Sequence, residues 1–402
     1  MSFIMNIRSV AKYESKILVR SWFFRIFTLL AVVFLGFFNF AMMLMEDNFG
    51  LWFAKSVSSN IPYLNLLLLN TGQAVVAVFL SSEFLKRDKK LDTSEVFYVR
   101  PLSNAEYVVG KIWGNLRVFL FLNLLVLAIV LAFNFMASGV TVDLPAYLVY
   151  FFLISIPTLI FIIGLSIFLM LLLNNQALTF ILLLGYIGLT LFYIQDKFYY
   201  LFDYMVYNLP LFKSTIVGFS NLELILNHRA IYFFAGLGFI FFTIFLFKRL
   251  PNARRSHYPW LFLSFCMFLL MVTAGFRHVR SILWEGEMRA LYTSINNKYV
   301  YEPKMAIDYY DISVEQKSET IRSVVGMEGT ALAASEVFIF CLNPGLRVEE
   351  VKDGEKSLNF KREEQILAVD FGRKIEKGDT ISFSVSYEGR IKDDFCYLDI
   401  PE

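Results

Sequence analysis

Histidine and cysteine are both scarce in this sequence, with three residues of each among 402. The histidines His228, His257 and His278 do not have the spacing of metal ligands, so no protein-bound metal centre is predicted. The phosphate-loop pattern G-x-x-x-x-G-K-[ST] is also missing, because the run GKIWG at Gly110–Gly114 does not have its spacing. We therefore expect neither ATP hydrolysis nor any other enzyme activity from this chain itself.

The three cysteines indicate little about the redox compartment. Cys266 lies within a long apolar run, where a thiol is expected to be inert packing. Cys341 and Cys396 lie in the C-terminal part of the chain, where oxidation is possible if that part is exported. Two interpretations stay open, a disulfide between them or two unpaired, buried strand cysteines, and we favour the second.

Charged residues are also few, at 18% of the sequence, whereas hydrophobic residues make up 57%. This composition excludes an ordinary soluble domain, because a run of about 20 apolar residues is typical of a membrane-spanning helix. The sequence predicts a polytopic α-helical membrane protein with a soluble C-terminal tail. Its seven predicted spans are Phe23–Met45, Ile61–Leu85, Ile112–Met136, Leu144–Leu173, Ala177–Ile194, Ile231–Phe247 and Tyr258–Phe276.

The few charges are unevenly distributed along the chain. Residues 1–276 carry 20 Lys and Arg against 12 Asp and Glu, a net charge of +8, and residues 277–402 carry 17 against 23, a net charge of −6. Basic clusters precede the first span and follow the second and the sixth. The positive-inside rule therefore predicts a cytoplasmic N-terminus and an extracytoplasmic C-terminal domain. The acidic tail argues against a nucleic-acid partner.

The N-terminal residues 1–22 mix apolar and basic positions in a helical pattern. The apolar positions that share much of one face are Ile7, Val10, Ala11, Ile17 and Leu18. Such a segment is typical of a helix that lies in the cytoplasmic membrane interface. The alternative is a basic flank that only fixes the topology.

Polar residues occur in or near the second and third spans, at Asn70, Gln73, Asn115 and Asn123. Either they face a transport pathway or they form hydrogen bonds between neighbouring helices, and we favour the second interpretation. In the fourth span, Pro157 removes one backbone hydrogen bond and predicts a kink.

The segment Gln195–Ala230 is rich in aromatic residues and amphipathic, but it is too interrupted to span a membrane. We expect it to form short helices that lie on, or dip into, the outer interface.

The C-terminal part changes to a period of two. In TISFSVSYEG (Thr380–Gly389), apolar and hydroxyl residues alternate, and SEVFIFCL (Ser335–Leu342) is a second predicted strand. The pair Asp353-Gly354 is a hairpin turn signal. Residues 295–402 are therefore predicted to form an extracytoplasmic, antiparallel β-sandwich-like domain.

A dense charged island separates the second span from the third, within EFLKRDKKLDTSEVFYVRPLSNAEYVVGK (Glu83–Lys111). It is either a solvated linker or, since apolar and charged residues interleave in a helical manner, a short amphipathic helix that presents a face to a cytoplasmic partner.

This island resembles the permease subunits of type-2 ABC exporters. In that family an acidic residue ends the second span, a Thr-x-Glu pair precedes a basic-Pro-x-Ser turn, and Tyr-x-x-Gly-Lys leads into the third span. The matching positions are Glu83, Asp88, Thr93, Glu95, Arg100, Pro101, Ser103, Tyr107, Gly110 and Lys111.

The resemblance covers residues 1–250 and implies a six-span permease domain over residues 23–250, followed by a basic loop, a seventh span and a stalk over residues 251–294. It implies that the N-terminal helix and the Glu83–Lys111 loop receive the push of a separate ATP-binding subunit. ATP and Mg²⁺ then belong to that partner, and no cofactor is expected in this chain. A second permease copy or a homologous half, and a bacterial cytoplasmic (inner) membrane, are also implied.

The tail carries a second resemblance. The segments VFIFCLNPGLRVEEV, SLNF and KGDTISFSVSYEGRI resemble the N-terminal β domain of aminopeptidase-N-like zinc metallopeptidases, to which some bacterial permeases of this type are fused. This sequence has neither the H-E-x-x-H zinc helix nor a Gly-x-Met-Glu-Asn substrate loop. An exporter permease is therefore the favoured interpretation. The alternatives are the non-catalytic N-terminal part of a membrane-anchored aminopeptidase fusion and a membrane-anchored β binding module.

Overall fold

The computed structural model describes the chain in two compact units. One unit comprises Met1–Thr215 with Phe219–Val279, and the other comprises Ile216–Gly218 with Arg280–Glu402. Within them, the described residues are 2–44, 57–82, 102–136, 142–194, 196–211, 213–214, 218–219, 221–247, 258–317, 319–392 and 395.

Long apolar helices make up the first unit, and the last of them continues past Val279 into residues of the second unit. The helices are α1 (Ser2–Arg20), α2 (Trp22–Leu44), α3 (Asn60–Ser82), α4 (Asn104–Met136), α5 (Leu144–Leu173), α6 (Gln176–Ile194), α7 (Leu222–Leu246) and α8 (Tyr258–Lys298). Seven of them, α2 to α8, are long and apolar enough to cross a membrane. The predicted number of spans is thereby confirmed among the described residues, and the helices have the composition of a multi-pass membrane protein.

Three of these helices extend well beyond the apolar runs that predicted them. Helix α4 begins at Asn104 and α7 begins at Leu222, whereas α8 continues to Lys298. At a rise of 1.5 Å per residue, the 41 residues of α8 make a helix about 60 Å long, roughly twice the thickness of a hydrocarbon core. Hydropathy marks only the apolar part of a helix, because backbone hydrogen bonding continues into its polar ends.

The core of the first unit depends on close backbone contact between α5 and α7. A Cβ atom on Gly236 would lie 2.6 Å from the Ile160 carbonyl oxygen, and one on Gly164 would lie 2.6 Å from the Gly236 carbonyl oxygen. Distances this short leave no room for a side chain. Small residues of this kind let membrane helices approach closely, which is a main source of their association in lipid.

Next to Pro157, where a kink was predicted, the helix contains a wider, π-helical turn. Residues Phe151–Ser155 form one π-helical turn directly before the regular helix Ile156–Leu173. A proline has no N–H to donate, so the backbone relaxes locally instead of keeping an unbroken α-helical ladder. A second π-helical turn, Thr190–Ile194, ends α6.

The segment between α6 and α7 differs from its prediction. Instead of several short interfacial helices, its described part has one three-residue 3₁₀ turn, Phe198–Tyr200, and then irregular chain. Tyr204, Val206 and Leu211 of this chain are completely buried in the core of the first unit. The later part of the segment therefore packs into the helices, whereas Phe198 and Tyr199 at its start stay exposed.

The second unit is an antiparallel β domain. The strands are β1 (Met305–Lys317), β2 (Thr320–Ala331), β3 (Ser335–Cys341), β4 (Leu346–Asp353), β5 (Lys356–Ser357), β6 (Asn359–Glu363), β7 (Ile366–Ile375) and β8 (Thr380–Gly389). They form a five-stranded sheet in the order β1-β2-β8-β4-β5 and a three-stranded sheet in the order β3-β7-β6.

One hydrophobic core joins the two sheets, as expected for a sandwich. The ring of Phe371 on β7 contacts Phe338 on β3 and Phe383 on β8, with centroid distances of 6.0 and 5.6 Å. The predicted strands around Ser335–Leu342 and Thr380–Gly389 are present, and the Asp353-Gly354 turn joins β4 to β5. The prediction of an antiparallel β region is confirmed.

Two features of the β domain were not predicted correctly. Strands β1 and β2 were missed, although apolar and polar residues alternate over Tyr310–Glu315, just after a register shift between Ile307 and Tyr309. Cys341 is a free thiol but is exposed, not buried, because it ends β3 at an open edge of the smaller sheet. Cys396 lies outside the described residues, so the proposed pairing with Cys341 is not described.

Candidate functional site

Only part of the predicted coupling region lies among the described residues. Glu83, Asp88, Thr93, Glu95, Arg100 and Pro101 lie outside them. Ser103, Tyr107, Gly110 and Lys111 are described, and they stand at the start of α4. The structure therefore gives the geometry of the end of this region that joins the third predicted span.

A capping box begins α4. The Ser103 backbone N–H donates to Glu106 Oε2 at 2.6 Å, and the Glu106 N–H donates to Ser103 Oγ at 3.2 Å. This reciprocal pair satisfies two of the backbone N–H groups that a helix start otherwise leaves unpaired. The pattern S-x-x-E in SNAE was available in the sequence, where we had assigned Ser103 by family resemblance alone.

Helix α1 lies directly against this first part of α4. Asn6 Nδ2 donates to Glu106 Oε1 at 2.9 Å, which joins the capping box to α1. Ser15 Oγ donates to the Gly114 carbonyl oxygen at 2.7 Å, and Arg117 Nη2 donates to the Ala11 carbonyl oxygen at 2.8 Å. Hydrogen bonds to backbone oxygens in both directions fix the register of the two helices.

Two glycines make this close contact possible. A Cβ atom on Gly110 would lie 2.7 Å from Val10 Cβ, and one on Gly114 would lie 2.7 Å from Glu14 Cβ and 2.9 Å from the Ala11 carbonyl oxygen. The motif GKIWG, considered above only as a failed phosphate loop, is thus a G-x-x-x-G helix-packing motif. The spacing of four residues places both glycines on one face of α4.

A buried ion pair lies within the same contact. Lys111 Nζ is 3.7 Å from Glu14 Oε2, and each side chain is only 4% exposed. The ammonium group also lies over the Tyr107 ring, 5.0 Å from its centroid, which adds a cation–π attraction. The amphipathic prediction for α1 missed Glu14, since a carboxylate on the apolar face of a helix is understood only once its partner is known.

The end of α7 also meets the start of α4. The Tyr107 ring stacks on Phe247 with a centroid distance of 5.5 Å and an interplanar angle of 7°. Asn104 Nδ2 donates to the Phe247 carbonyl oxygen at 2.6 Å. The first turns of α4 are thus held by α1 on one side and by the end of α7 on another. We call the contact of α1 with the start of α4 the α1–α4 junction.

A polar cluster ties α3, α4 and α5 together deeper in the unit. Gln73 Nε2 donates to Asn70 Oδ1 at 2.6 Å, and Asn123 Nδ2 donates to Gln73 Oε1 at 2.9 Å. Ser155 Oγ donates to Asn123 Oδ1 at 2.8 Å. All four side chains are completely buried. For three of the four polar residues considered in the sequence, the arrangement therefore supports the interpretation of hydrogen bonds between helices and not that of a transport pathway.

Asn115 is the exception in that group. Its side chain is buried, and its amide nitrogen has no hydrogen-bond partner among the described residues. It lies between Gly114 and Arg117 of the α1–α4 junction in the sequence of α4, and it is not part of the polar cluster.

Arg229, which the sequence analysis did not single out, joins α7 to α5 by hydrogen bonds. Arg229 is almost fully buried and donates to the carbonyl oxygens of Leu153 at 2.7 Å and Tyr204 at 3.0 Å, and to Thr158 Oγ1 at 2.9 Å. The π-helical turn in α5 leaves such carbonyl groups available to accept. A charged residue just before the predicted span Ile231–Phe247 was the available signal.

Asp203 is a buried acidic residue in the same region, outside the predicted spans. Burial raises the pKa of its carboxyl group, against the backbone N–H groups of Asn208 and Tyr207 and the charge of Arg229, which act to lower it. The two N–H donors are 2.8 and 2.9 Å from the carboxylate oxygens. This network closes the turn that follows Phe198–Tyr200.

Two histidines that are far apart in the sequence meet at this turn. The rings of His228 and His278 have centroids 5.1 Å apart, and both side chains are completely buried. Their Nε2 atoms lie 2.9 and 2.8 Å from the carbonyl oxygens of Tyr200 and Tyr199. Across the described ranges, no group of three or more His, Cys, Asp and Glu is placed to hold a metal ion. The histidine pair thus holds the turn in place through the carbonyl oxygens of Tyr199 and Tyr200. The third histidine, His257, lies outside the described residues.

Comparisons with known proteins give a weak similarity. No family model matches the sequence, and no curated protein matches it. One solved structure that is similar to it is an M1 zinc metallopeptidase from Deinococcus radiodurans bound to a Tyr-Ser-Ala substrate, with 17% identity over 22% of this chain and a TM-score of 0.20. The match covers 21% of that protein, so this chain corresponds to about a fifth of its length.

Proposed function

We propose that this chain is the membrane-spanning permease subunit of an ABC-type exporter, driven by a separate ATP-binding subunit that carries ATP and Mg²⁺. The observation that carries the proposal is the α1–α4 junction. An amphipathic helix with basic residues on its exposed face, Arg8, Lys12 and Lys16, is locked onto the start of α4 directly after the predicted coupling loop. A tight contact of this kind is required if a partner outside the spans is to move them.

The buried contacts offer a route for that push into the helices. Movement of α1 displaces α4, because the backbones touch at Gly110 and Gly114 and leave no free space between them. Helix α4 is bonded to α3 and α5 through Asn123. Packed helices without voids transmit small displacements as rigid bodies, since interiors have low compressibility.

The outer part of the first unit fits the exit side of such a mechanism. The irregular segment after Phe198 is held to α5 and α7 by Arg229 and to α7 and α8 by the histidine pair. Three consecutive residues, Phe198 to Tyr200, have φ values of 53°, 59° and 61°, a left-handed conformation that is strained for bulky residues. We propose that this held turn shapes the exit, and that the protein works as a pair of such subunits in a bacterial cytoplasmic membrane.

The test is to purify the tagged chain from membranes and to identify and assay what is bound to it. We expect an ATP-binding cassette subunit with measurable ATPase activity. Glu95→Lys and Pro101→Leu in the predicted coupling loop should remove that subunit or its activity without lowering the amount of inserted chain. Lys317→Glu, an exposed change in the other unit, is the control and should change neither.

Two results would overturn the proposal. Purification of the chain alone from gently solubilised membranes would remove the partner on which it depends. Retention of the subunit with full ATPase activity in both loop variants would show that the charged island is only a linker.

A further inference from the structure

The two sheets of the β domain differ in width, and this leaves part of the larger sheet uncovered. Sheet β1-β2-β8-β4-β5 has five strands, whereas its cover β3-β7-β6 has three. After the register shift that follows Ile307, the inward-facing residues of the edge strand β1 are Tyr310, Ile312 and Val314. Their exposed fractions are 53%, 57% and 57%, although each belongs to the apolar face of a sandwich.

The pairing across the sheet shows where the cover ends. Ile312 pairs with Val325 on β2, and Val325 pairs with Val385 on β8. Val325 and Val385 are only 5% and 3% exposed. One row of apolar side chains therefore runs from the closed core into an open cleft, and burial is lost between β2 and β1.

This cleft has the size and the lining of a binding site. Its volume is about 540 Å³, within the range of about 300–1,000 Å³ that small-molecule sites occupy. Met305 and Met327 lie among its apolar lining residues, and Phe340 of β3 forms part of its wall. Methionine is a flexible side chain that adapts to irregular apolar ligands. We call this space the sheet cleft.

The charge that lines the sheet cleft is positive. Its described lining contains Lys304 but neither aspartate nor glutamate. Cys341 also lines it; burial raises the pKa of its thiol, and the positive charges of Arg362 and Lys304 oppose that rise. This is a local exception in a part of the chain whose net charge is −6 over residues 277–402. The cleft therefore favours an apolar ligand with one negative group over a neutral or cationic one.

A peptide lying flat on the floor of the sheet cleft would be a poor occupant. Strands β1 and β2 are already paired with each other along the whole of β1, so a molecule on their face meets side chains and not free backbone groups. A peptide would bring an N–H and a C=O per residue to this apolar surface, and each unpaired group would cost free energy. An alkyl chain brings none.

We propose that the sheet cleft binds a free fatty acid, with the alkyl chain on the Tyr310–Ile312–Met327 surface and the carboxylate beside Lys304. The site is independent of the proposed transport function, since it lies wholly within the second unit. Apolar burial supplies the affinity, and the cation at the rim selects a carboxylate over an ester or an ammonium group.

The test uses Cys341 as a reporter in the full chain. Cys266→Ser and Cys396→Ser leave one thiol, and the protein is placed in nanodiscs of a zwitterionic phospholipid. We expect dodecanoate to slow the reaction of Cys341 with a maleimide about fivefold or more, a difference of about 1 kcal/mol. Methyl dodecanoate and dodecyltrimethylammonium should slow it less than twofold under the same conditions.

Two variants and one control make the result specific. Lys304→Gln should abolish the protection by dodecanoate. Because this side chain is exposed, the substitution should leave the fold intact. Met327→Trp should abolish it by filling the cleft. In the control, Cys341→Ser with Ser313→Cys places the thiol on the opposite face of β1, where dodecanoate should have no effect.

Several results would overturn the proposal. Equal protection by the acid and its methyl ester would show that no carboxylate is recognised. Absence of protection by dodecanoate, or protection that survives Lys304→Gln and Met327→Trp together, would show that the sheet cleft is not the site. Protection by an uncharged apolar peptide and not by dodecanoate would assign the cleft to peptides instead.

Discussion

Lys111 Nζ lies 3.7 Å from Glu14 Oε2 in the contact between α1 and α4, and both side chains are 96% removed from solvent. Removing one partner leaves a buried charge with less compensation, which typically costs about 3–5 kcal/mol. We expect Glu14→Ala or Lys111→Ala to lower the thermal unfolding midpoint of the purified protein by several degrees. The exchanged pair Glu14→Lys with Lys111→Glu should recover part of the loss.

The control for this prediction is an exposed ion pair. Arg277 and Glu223 are joined at 2.8 Å, but their side chains are 60% and 70% exposed. Glu223→Ala should leave the unfolding midpoint almost unchanged, since exposed pairs contribute little. Equal effects at Glu14 and Glu223 would contradict the importance of the buried pair.

The glycine contact at the α1–α4 junction gives a second prediction. Gly114→Leu places a side chain where a Cβ atom alone would be 2.7 Å from Glu14 Cβ, so α1 must move away at a cost of about 1–3 kcal/mol or more. We expect α1 to become accessible to protease. Binding of the proposed ATP-binding subunit should persist, whereas its ATPase activity should no longer respond to this chain.

Gly185 provides the matched control, because a Cβ atom there would have nothing within 4 Å. Gly185→Leu in α6 should retain both the protease resistance of α1 and normal ATPase activity. If Gly114→Leu behaves in the same way, the close packing of α1 on α4 is not needed for transmission.

The buried polar cluster gives a third prediction. Asn123→Leu leaves Gln73 and Ser155 without a partner from α4. A buried polar group that loses its hydrogen-bond partner typically costs about 1–3 kcal/mol. Hydrogen bonds between membrane helices are often worth less, about 0.6 kcal/mol on average. We therefore expect a loss of about 1–2 kcal/mol, measured by reversible unfolding in mixed micelles.

Asn115→Leu is the comparison on the same helix. Its amide nitrogen is buried without a hydrogen-bond partner among the described residues, so its replacement removes an unsatisfied donor. This variant should be neutral or slightly stabilising. A larger loss at Asn115 than at Asn123 would mean that the hydrogen-bonded cluster does not hold the helices together.

Arg229 gives a fourth prediction. Its planar guanidinium donates to Leu153, Tyr204 and Thr158 from fixed directions, which a single ammonium group cannot reproduce. Arg229→Lys should therefore cost about 1.5–3 kcal/mol and should expose the Tyr204 segment to hydrogen exchange. Arg277→Lys, at an exposed position nearby in the helical unit, should have no such effect. Unchanged exchange in Arg229→Lys would show that the arginine does not hold this segment.

The sequence was informative for the long apolar runs and for the cleanly alternating strands of the β domain. Seven apolar runs gave seven helices, and alternation in Thr380–Gly389 gave a strand of those bounds. The predictions failed in two other places. Strand β1 was overlooked although Tyr310–Glu315 alternate, and the aromatic segment after Phe198 was placed on a surface, whereas Tyr204, Val206 and Leu211 are buried.

The predicted coupling residues show a different limit. Tyr107 and Lys111 were chosen because they resemble a family pattern, whereas the structure assigns them contacts with Phe247 and Glu14. Glu83 to Pro101 stay predictions, since they lie outside the described residues. Local motifs such as S-x-x-E and G-x-x-x-G were readable in the sequence, but only their partners on α1 give them meaning.

The sequence by itself determined the seven apolar helices found among the described residues and the antiparallel β domain, because hydropathy and period depend only on neighbouring residues. Tertiary structure decided which polar residues meet. The pairs Lys111 with Glu14 and His228 with His278, and the cleft left by a five-stranded sheet under a three-stranded one, join residues distant in the chain. Such contacts depend on how helices and sheets pack, and no local pattern encodes them.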